Sequence, residues 1–160
     1  MTEPQPIAEE EIPDAVSGPA DDLLSSLQIL ARTVERGFAG HLDEKHGITV
    51  SDWRVMLTLH RYPGMTAAEI TSRWAMDKMA ISRALQRLEE EGLIARARNP
   101  EDRRSYRLFL SGKGKEAFEK IIPDANERYR ALVGCLSREE QAVVRGAFEK
   151  LTAQVDRLQG

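Results

Sequence analysis

The stretch Asp77–Leu110, DKMAISRALQRLEEEGLIARARNPEDRRSYRLFL, decides the fold. Ile81, Leu85 and Leu88 recur at spacings of four and three, with Ala84 beside them, so a helix gathers them on one inward face. Lys78, Ser82, Arg83, Gln86 and Arg87 then point away from that face. Asp77 is placed to cap the first turn and Gly92 to stop the last. After the helix come the apolar pair Leu93-Ile94, the turn-prone Asn99-Pro100 and a run of charge. Tyr106, Leu108 and Leu110 alternate with Arg107 and Phe109 at the period of a strand. Helix, strand, charged loop and strand in this order predict a winged helix. The helix is sized for a major groove, and the loop carries the arginines that a narrow minor groove attracts.

Charge is the first test of that expectation. The chain has 160 residues and a formal net charge of −3, from 23 basic and 26 acidic residues. Its distribution is uneven: Arg73–Arg107 holds nine Lys or Arg against six Asp or Glu, and three of those acids are the run Glu89-Glu90-Glu91. That segment is +3 and the remainder −6, so the basic patch is local and the global sign says little against nucleic acid. A hydrophobic content of 41% fits a helix-rich domain, and the single cysteine excludes an internal disulfide framework. No apolar run reaches the length of a membrane span, and the N-terminus lacks an export pattern, so a cytoplasmic location is expected.

Residues 1–20 hold four of the seven prolines and five acids with no Lys or Arg, a composition that predicts a disordered acidic tail. From Asp21 to about Lys45 the period is helical: Leu23, Leu27, Leu30, Val34 and Phe38 form one stripe that His41 extends, and Gly47 ends it. A second helix spans Thr49 to Arg61, with Trp53, Met56, Leu57 and His60 spaced for burial. Thr66-Ala67-Ala68-Glu69 is a capping box that opens a short third helix, the brace of a helix-turn-helix. Trp53 and Trp74 read as packing residues. A fifth helix starts at Ser111 and contains Pro123, where a kink is expected. A second capping box, Ser137-Arg138-Glu139-Glu140, opens a sixth helix whose Val144, Phe148, Leu151, Val155 and Leu158 recur at four, three, four, three. That is a partner-helix seam. The expected class is therefore mainly α with a two-stranded wing: a winged helix-turn-helix lobe over 47–111, and dimerisation helices over 21–46 and 112–160.

At Ser82-Arg83, Arg87-Leu88-Glu89, Gly92-Leu93-Ile94, Pro100-Glu101-Asp102-Arg103-Arg104 and Leu110-Ser111 the chain resembles the MarR family of bacterial transcriptional regulators. The resemblance runs from about Leu23 to the C-terminus, and the wing string is its most specific part. It implies an obligate homodimer on a pseudo-palindromic operator in double-stranded DNA, released by a small molecule or by oxidation. It also implies that Arg104 enters the minor groove with Asp102 as its support, that Arg103 meets phosphate, and that Ser82, Arg83 and Arg87 touch bases or backbone. Asp102 and Arg104 lie two apart, hence on one side of an extended loop, where the carboxylate can brace the guanidinium. Lys78 and Gln86 complete the expected DNA-facing set. Taken alone, Lys78, Arg83 and Arg87 also read as solubilising charge; the arginine wing tips the balance. Ala80 departs from the polar residue many relatives carry there, which bears on operator sequence and not on the mode of binding.

The segment from Trp53 to Ala84 looks most like the MarR branch that senses hydroxycinnamates or their coenzyme A thioesters. The effector of that family lies where the dimerisation helices meet the winged lobe, and the candidates here are Arg32, Arg36, His41, Trp53 and His60. The arginines suit an anion; each of the five also reads as surface charge or packing. Cys135 lies in an apolar run where a thiol fills space, and the alternative is a thiol switch aided by Arg138. The histidines lack the one-turn spacing of a helical metal pair, so no metal and no cofactor are expected. No phosphate loop, nucleophile elbow or carboxylate pair supports an enzyme, and Gly112-Lys113-Gly114-Lys115 reads as a helix start. An interaction module without DNA binding, the remaining alternative, has no need of Arg83, Arg87 and Arg104 together.

Overall fold

A computed structural model describes residues 19–159. The tail expected over 1–20 falls outside them, except that its last two residues belong to the first helix. The described chain divides into two compact units, one ending at Val50 and the other beginning at Ser51.

The first unit holds α1 (Pro19–His46). The helix starts two residues before the expected Asp21, because proline is well tolerated in a first turn. Gly47 ends it as expected: φ is +65°, and the backbone N–H groups of Gly47 and Ile48 donate to Asp43 O and Leu42 O at 2.9 and 3.4 Å. Leu23, Leu24, Ile29 and Leu30 along its N-terminal half are exposed.

The second unit is the winged helix, α2 (Val50–Arg61), α3 (Ala67–Trp74), α4 (Lys78–Glu90), β1 (Ile94–Arg98) and β2 (Tyr106–Leu110), followed by α5 (Gly112–Val133) and α6 (Arg138–Gln159). Local chemistry sets most of these boundaries. Thr66 accepts from Glu69 N while the Glu69 carboxylate takes the Thr66 N–H at 2.7 Å, so the capping box is closed. The Thr66 backbone N–H, and after it the Thr66 hydroxyl, which donates to the same carboxylate oxygen at 2.9 Å, hold the Glu69 carboxyl below its ordinary range. Asp77 Oδ2 accepts from Ala80 N at 3.0 Å and caps α4. Gly92, at φ +69°, stops that helix, and Leu93 N returns to Leu88 O at 2.7 Å. The Ser137–Glu140 box closes in the same way.

The inward face of α4 is as read: Ile81, Ala84, Leu85 and Leu88 are all buried. Each of the three larger side chains contributes roughly 1.5–3 kcal/mol of burial. They share a core with Ile70 of α3, Leu93, Ile94, Leu108 and Leu110 of the wing, and Phe118 and Ile121 of α5. The strands pair antiparallel from Ile94↔Leu110 to Arg98↔Tyr106. A two-residue edge joins them: Gly64 N donates to Leu108 O at 2.8 Å, and Leu108 N to Met65 O at 3.1 Å. Gly64 has φ +89° and lies against the Phe109 ring, a position other side chains rarely adopt.

Two expectations about α2 change. Leu57 is only half-buried, and His60 is exposed although one face of its ring is stacked. Phe118 stacks on Trp53 at 5.3 Å and on His60 at 4.2 Å. Trp53 and Trp74 do pack: Trp53 Nε1 donates to Tyr129 Oη at 3.2 Å and Trp74 Nε1 to Thr58 Oγ1 at 2.8 Å.

Candidate nucleic-acid interface

The helix α4 and the wing face each other across a cleft of about 600 Å³. Lys78 and Ser82 line it from α4, Arg104, Ser105 and Tyr106 from the wing, and Thr66, Ala67 and Thr71 from the start of α3. Three residues separated by as many as 26 positions, Lys78, Ser82 and Arg104, are thus brought to one surface. Arg96 of β1 joins them, and sequence reading missed it. A signal existed: Ile94, Arg96 and Arg98 are two apart along a strand, so both arginines share the face of Ile94. Arg96 is held by Glu89 of α4 and lies 5.7 Å from the Tyr106 ring centre. Such a cleft presents cations and hydroxyls from two directions, the arrangement that fits a phosphate backbone between a helix and a loop.

Arg83 and Gln86 are exposed on α4; Gln86 Nε2 donates to Glu90 Oε1 at 2.9 Å. Arg87 is corrected. Its guanidinium turns onto α2, where Nη2 and Nε donate to the two oxygens of Asp52 at 2.8 and 3.3 Å. Asp52 is a buried carboxylate, and Arg87 is 41% exposed. The pair anchors α4 to α2, so Arg87 orients the helix from behind.

The wing support is corrected too. Asp102 Oδ1 accepts from the backbone N–H of Arg104 at 2.9 Å, and not from its guanidinium. The carboxylate caps the turn, the habit of an aspartate two residues upstream of a free amide. Arg103 and Arg104 are both exposed at the tip.

The effector candidates divide. Arg32 and Arg36 are exposed on α1, and His41 is half-buried there with its ring edge-on to His46 at 6.4 Å. Trp53 is 1% exposed and held by Phe118 and Tyr129, so it is a core residue. A ligand would reach it only by displacing one of them. His60 is exposed beside Phe118 and borders a smaller hollow with Lys115 and Glu119. Cys135 is exposed and not space-filling, because α5 ends at Gly134 and releases the apolar run to the surface.

Residues 46–105 match the model of the MarR family. Over 125 residues the chain is 30% identical to the HTH-type transcriptional repressor MdtR of Bacillus subtilis, covering 76% of this chain and 80% of that protein. The chain belongs to the MarR family. It is thereby a DNA-binding transcription regulator and not an enzyme. The homoprotocatechuate degradative operon repressor of Escherichia coli is 21% identical over 82% of this chain and 89% of its own length. Among solved structures, a MarR/EmrR family transcriptional regulator from Acinetobacter sp. ADP1 superimposes with a TM-score of 0.80 at 25% identity, over 88% of this chain and 99% of that one. Among the described residues of this MarR-family protein, no helix is long and apolar enough to cross a membrane.

Proposed function

We propose that this MarR-family protein is a homodimeric repressor whose α4 helices read a pseudo-palindromic operator while its wings enter the flanking minor grooves. One observation carries the reading: Lys78, Ser82, Arg96 and Arg104 converge on the cleft between α4 and the wing. Lys78 and Ser82 supply the major-groove and phosphate side, Arg104 the minor-groove side, and Arg103 a phosphate contact beside it. Repression is supported by the names of the Bacillus subtilis and Escherichia coli relatives. Dimerisation is supported by α6, whose Val144, Phe148, Leu151, Val155 and Leu158 are all exposed on one heptad seam. The lobe over 47–111 is the DNA reader, and 21–46 with 112–160 form the dimer module.

Two substitutions test the division of labour. Arg104→Ala should weaken operator binding by on the order of 1–3 kcal/mol, the range of a lost groove contact. Lys78→Ala should weaken all sequences alike and lower the salt slope by about one, as loss of one phosphate contact does. Fluorescence anisotropy across a salt series reads both. An Arg104→Ala variant with the parent's operator affinity would refute the wing assignment.

The effector we assign is an aromatic acid or its coenzyme A thioester, of the hydroxycinnamate kind. The Escherichia coli relative takes its name from an operon that degrades homoprotocatechuate, an aromatic acid. Arg32 and Arg36 of α1 offer exposed cations to a carboxylate or phosphate, with His41 of the same helix as a further polar contact. Binding releases DNA only in proportion to the ligand's preference for the DNA-incompetent spacing of the two α4 helices. Titrating the operator complex with p-coumarate, ferulate and their thioesters should dissociate it. Retention of DNA at millimolar acid and micromolar thioester would remove the effector assignment and leave the repressor reading intact.

A further inference from the structure

Asn99 stands at the base of an exposed hairpin, between exposed Arg98 and Pro100, yet it is only 7% exposed. Its amide joins three separated parts of the wing. Oδ1 accepts from Glu101 N and from Arg107 Nε, both at 3.2 Å, and Nδ2 donates to Ser105 Oγ at 2.8 Å. Those partners are themselves tied in. Arg107 Nη2 donates to Glu101 Oε2 at 2.9 Å, and Ser105 Oγ to Asp102 O at 3.2 Å. The main chain closes the same loop, Ser105 N to Asp102 O at 3.1 Å and Asn99 N to Ser105 O at 3.4 Å. Among the described residues no buried side-chain nitrogen or oxygen lacks a partner, and both polar atoms of this amide have one. Everything it holds frames Arg103 and Arg104, which make no side-chain bond to it.

We infer that Asn99 is the positioning residue of the wing, and that it sets the preference for narrow, A·T-rich minor groove without touching DNA. The inference rests on the wing reading proposed above. A guanidinium senses groove width only when its approach is fixed; on a loose loop it reaches wide and narrow grooves alike. Fixing a loop residue beforehand also removes its backbone ordering from the binding step. Only an amide of this length has an acceptor for Glu101 N and Arg107 and a donor for Ser105 at once. Aspartate keeps the acceptors and can take the Ser105 hydroxyl proton if that proton leaves Asp102 O, which the Ser105 N–H still bonds; alanine and serine cannot span the three partners.

The experiment uses the full-length protein with a duplex selected from a random library, in two versions that differ only in A·T or G·C flanks where the wings lie. Asn99→Ala and Asn99→Ser should lose about tenfold of the A·T-over-G·C preference, a shift within the range of one mismatched position. Their salt slope should equal the parent's, because the phosphate contacts remain. Asn99→Asp should restore most of the preference. Arg104→Ala, run in parallel, should abolish it. An unchanged preference in both Asn99→Ala and Asn99→Ser overturns the inference, and so does an Asn99→Asp variant that behaves like alanine. An Arg104→Ala protein that keeps the preference overturns the wing reading itself. Should alanine fail to fold, serine and aspartate still separate these outcomes.

Discussion

Replacing Phe148 and Leu151 together by glutamate should turn a dimer into a monomer and lower operator affinity by about two to four orders of magnitude. Both side chains lie on the exposed seam of α6, and Phe148 is 47% exposed in the chain alone. Covering them against a second copy contributes roughly 1.5–3 kcal/mol per side chain. Glutamate at either position would bury a carboxylate without a partner, and symmetry doubles the penalty. Each freed protomer would then meet only one half-site, and the effective concentration that a linked second half-site provides disappears. Light scattering at micromolar concentration reads the mass, and anisotropy on full and half operators reads the affinity. Since neither residue supports the core of the winged lobe, helicity and the lobe's own melting should persist. A variant that keeps the dimer mass would refute the seam on α6.

Gly114→Ala should destabilise the protein by on the order of 3 kcal/mol, the upper end of overpacking. A β-carbon there would lie 1.9 Å from Leu93 O and 2.9 Å from the Leu93 carbonyl carbon. Both atoms are backbone, so no side chain can swing aside. The same carbonyl accepts from Ser111 N at 2.9 Å, which ties the start of α5 to the entrance of β1. Making room would break that bond or shift the wing on α4, so DNA affinity should fall together with stability. At this chain length the melting temperature should drop by roughly 6–12 °C. Gly112→Ala is the control: nothing lies within 4 Å of its missing β-carbon, and alanine is the better helix former. Calorimetry on the pair decides, and two variants that melt alike would show the close approach to be harmless.

Much of the molecule was legible in its residues because the forces involved are local. The caps at Thr66, Asp77 and Ser137 and the stops at Gly47 and Gly92 act within one helical turn. The inward face of α4 follows from helical spacing alone. Charge and turn residues between two strands marked the wing before any contact was known. Other features depended on partners far along the chain. Arg87 reads as an unpaired cation until Asp52, 35 positions away, is seen to hold it. Trp53 looks like a pocket residue until Phe118 of α5 stacks on it and buries it. The bond expected between the Asp102 and Arg104 side chains goes to the backbone, since a turn leaves that amide free and nearer. Asn99 gave no sign beyond a turn preference, because its role lies in joining residues 101, 105 and 107. The sequence by itself determined the helices, the wing and where the basic surface would lie, because spacing and capping act over a few residues. Only the tertiary structure decided which cations are paired within the protein and which stay exposed, because ion pairs, stacks and close backbone approach depend on what folding brings alongside.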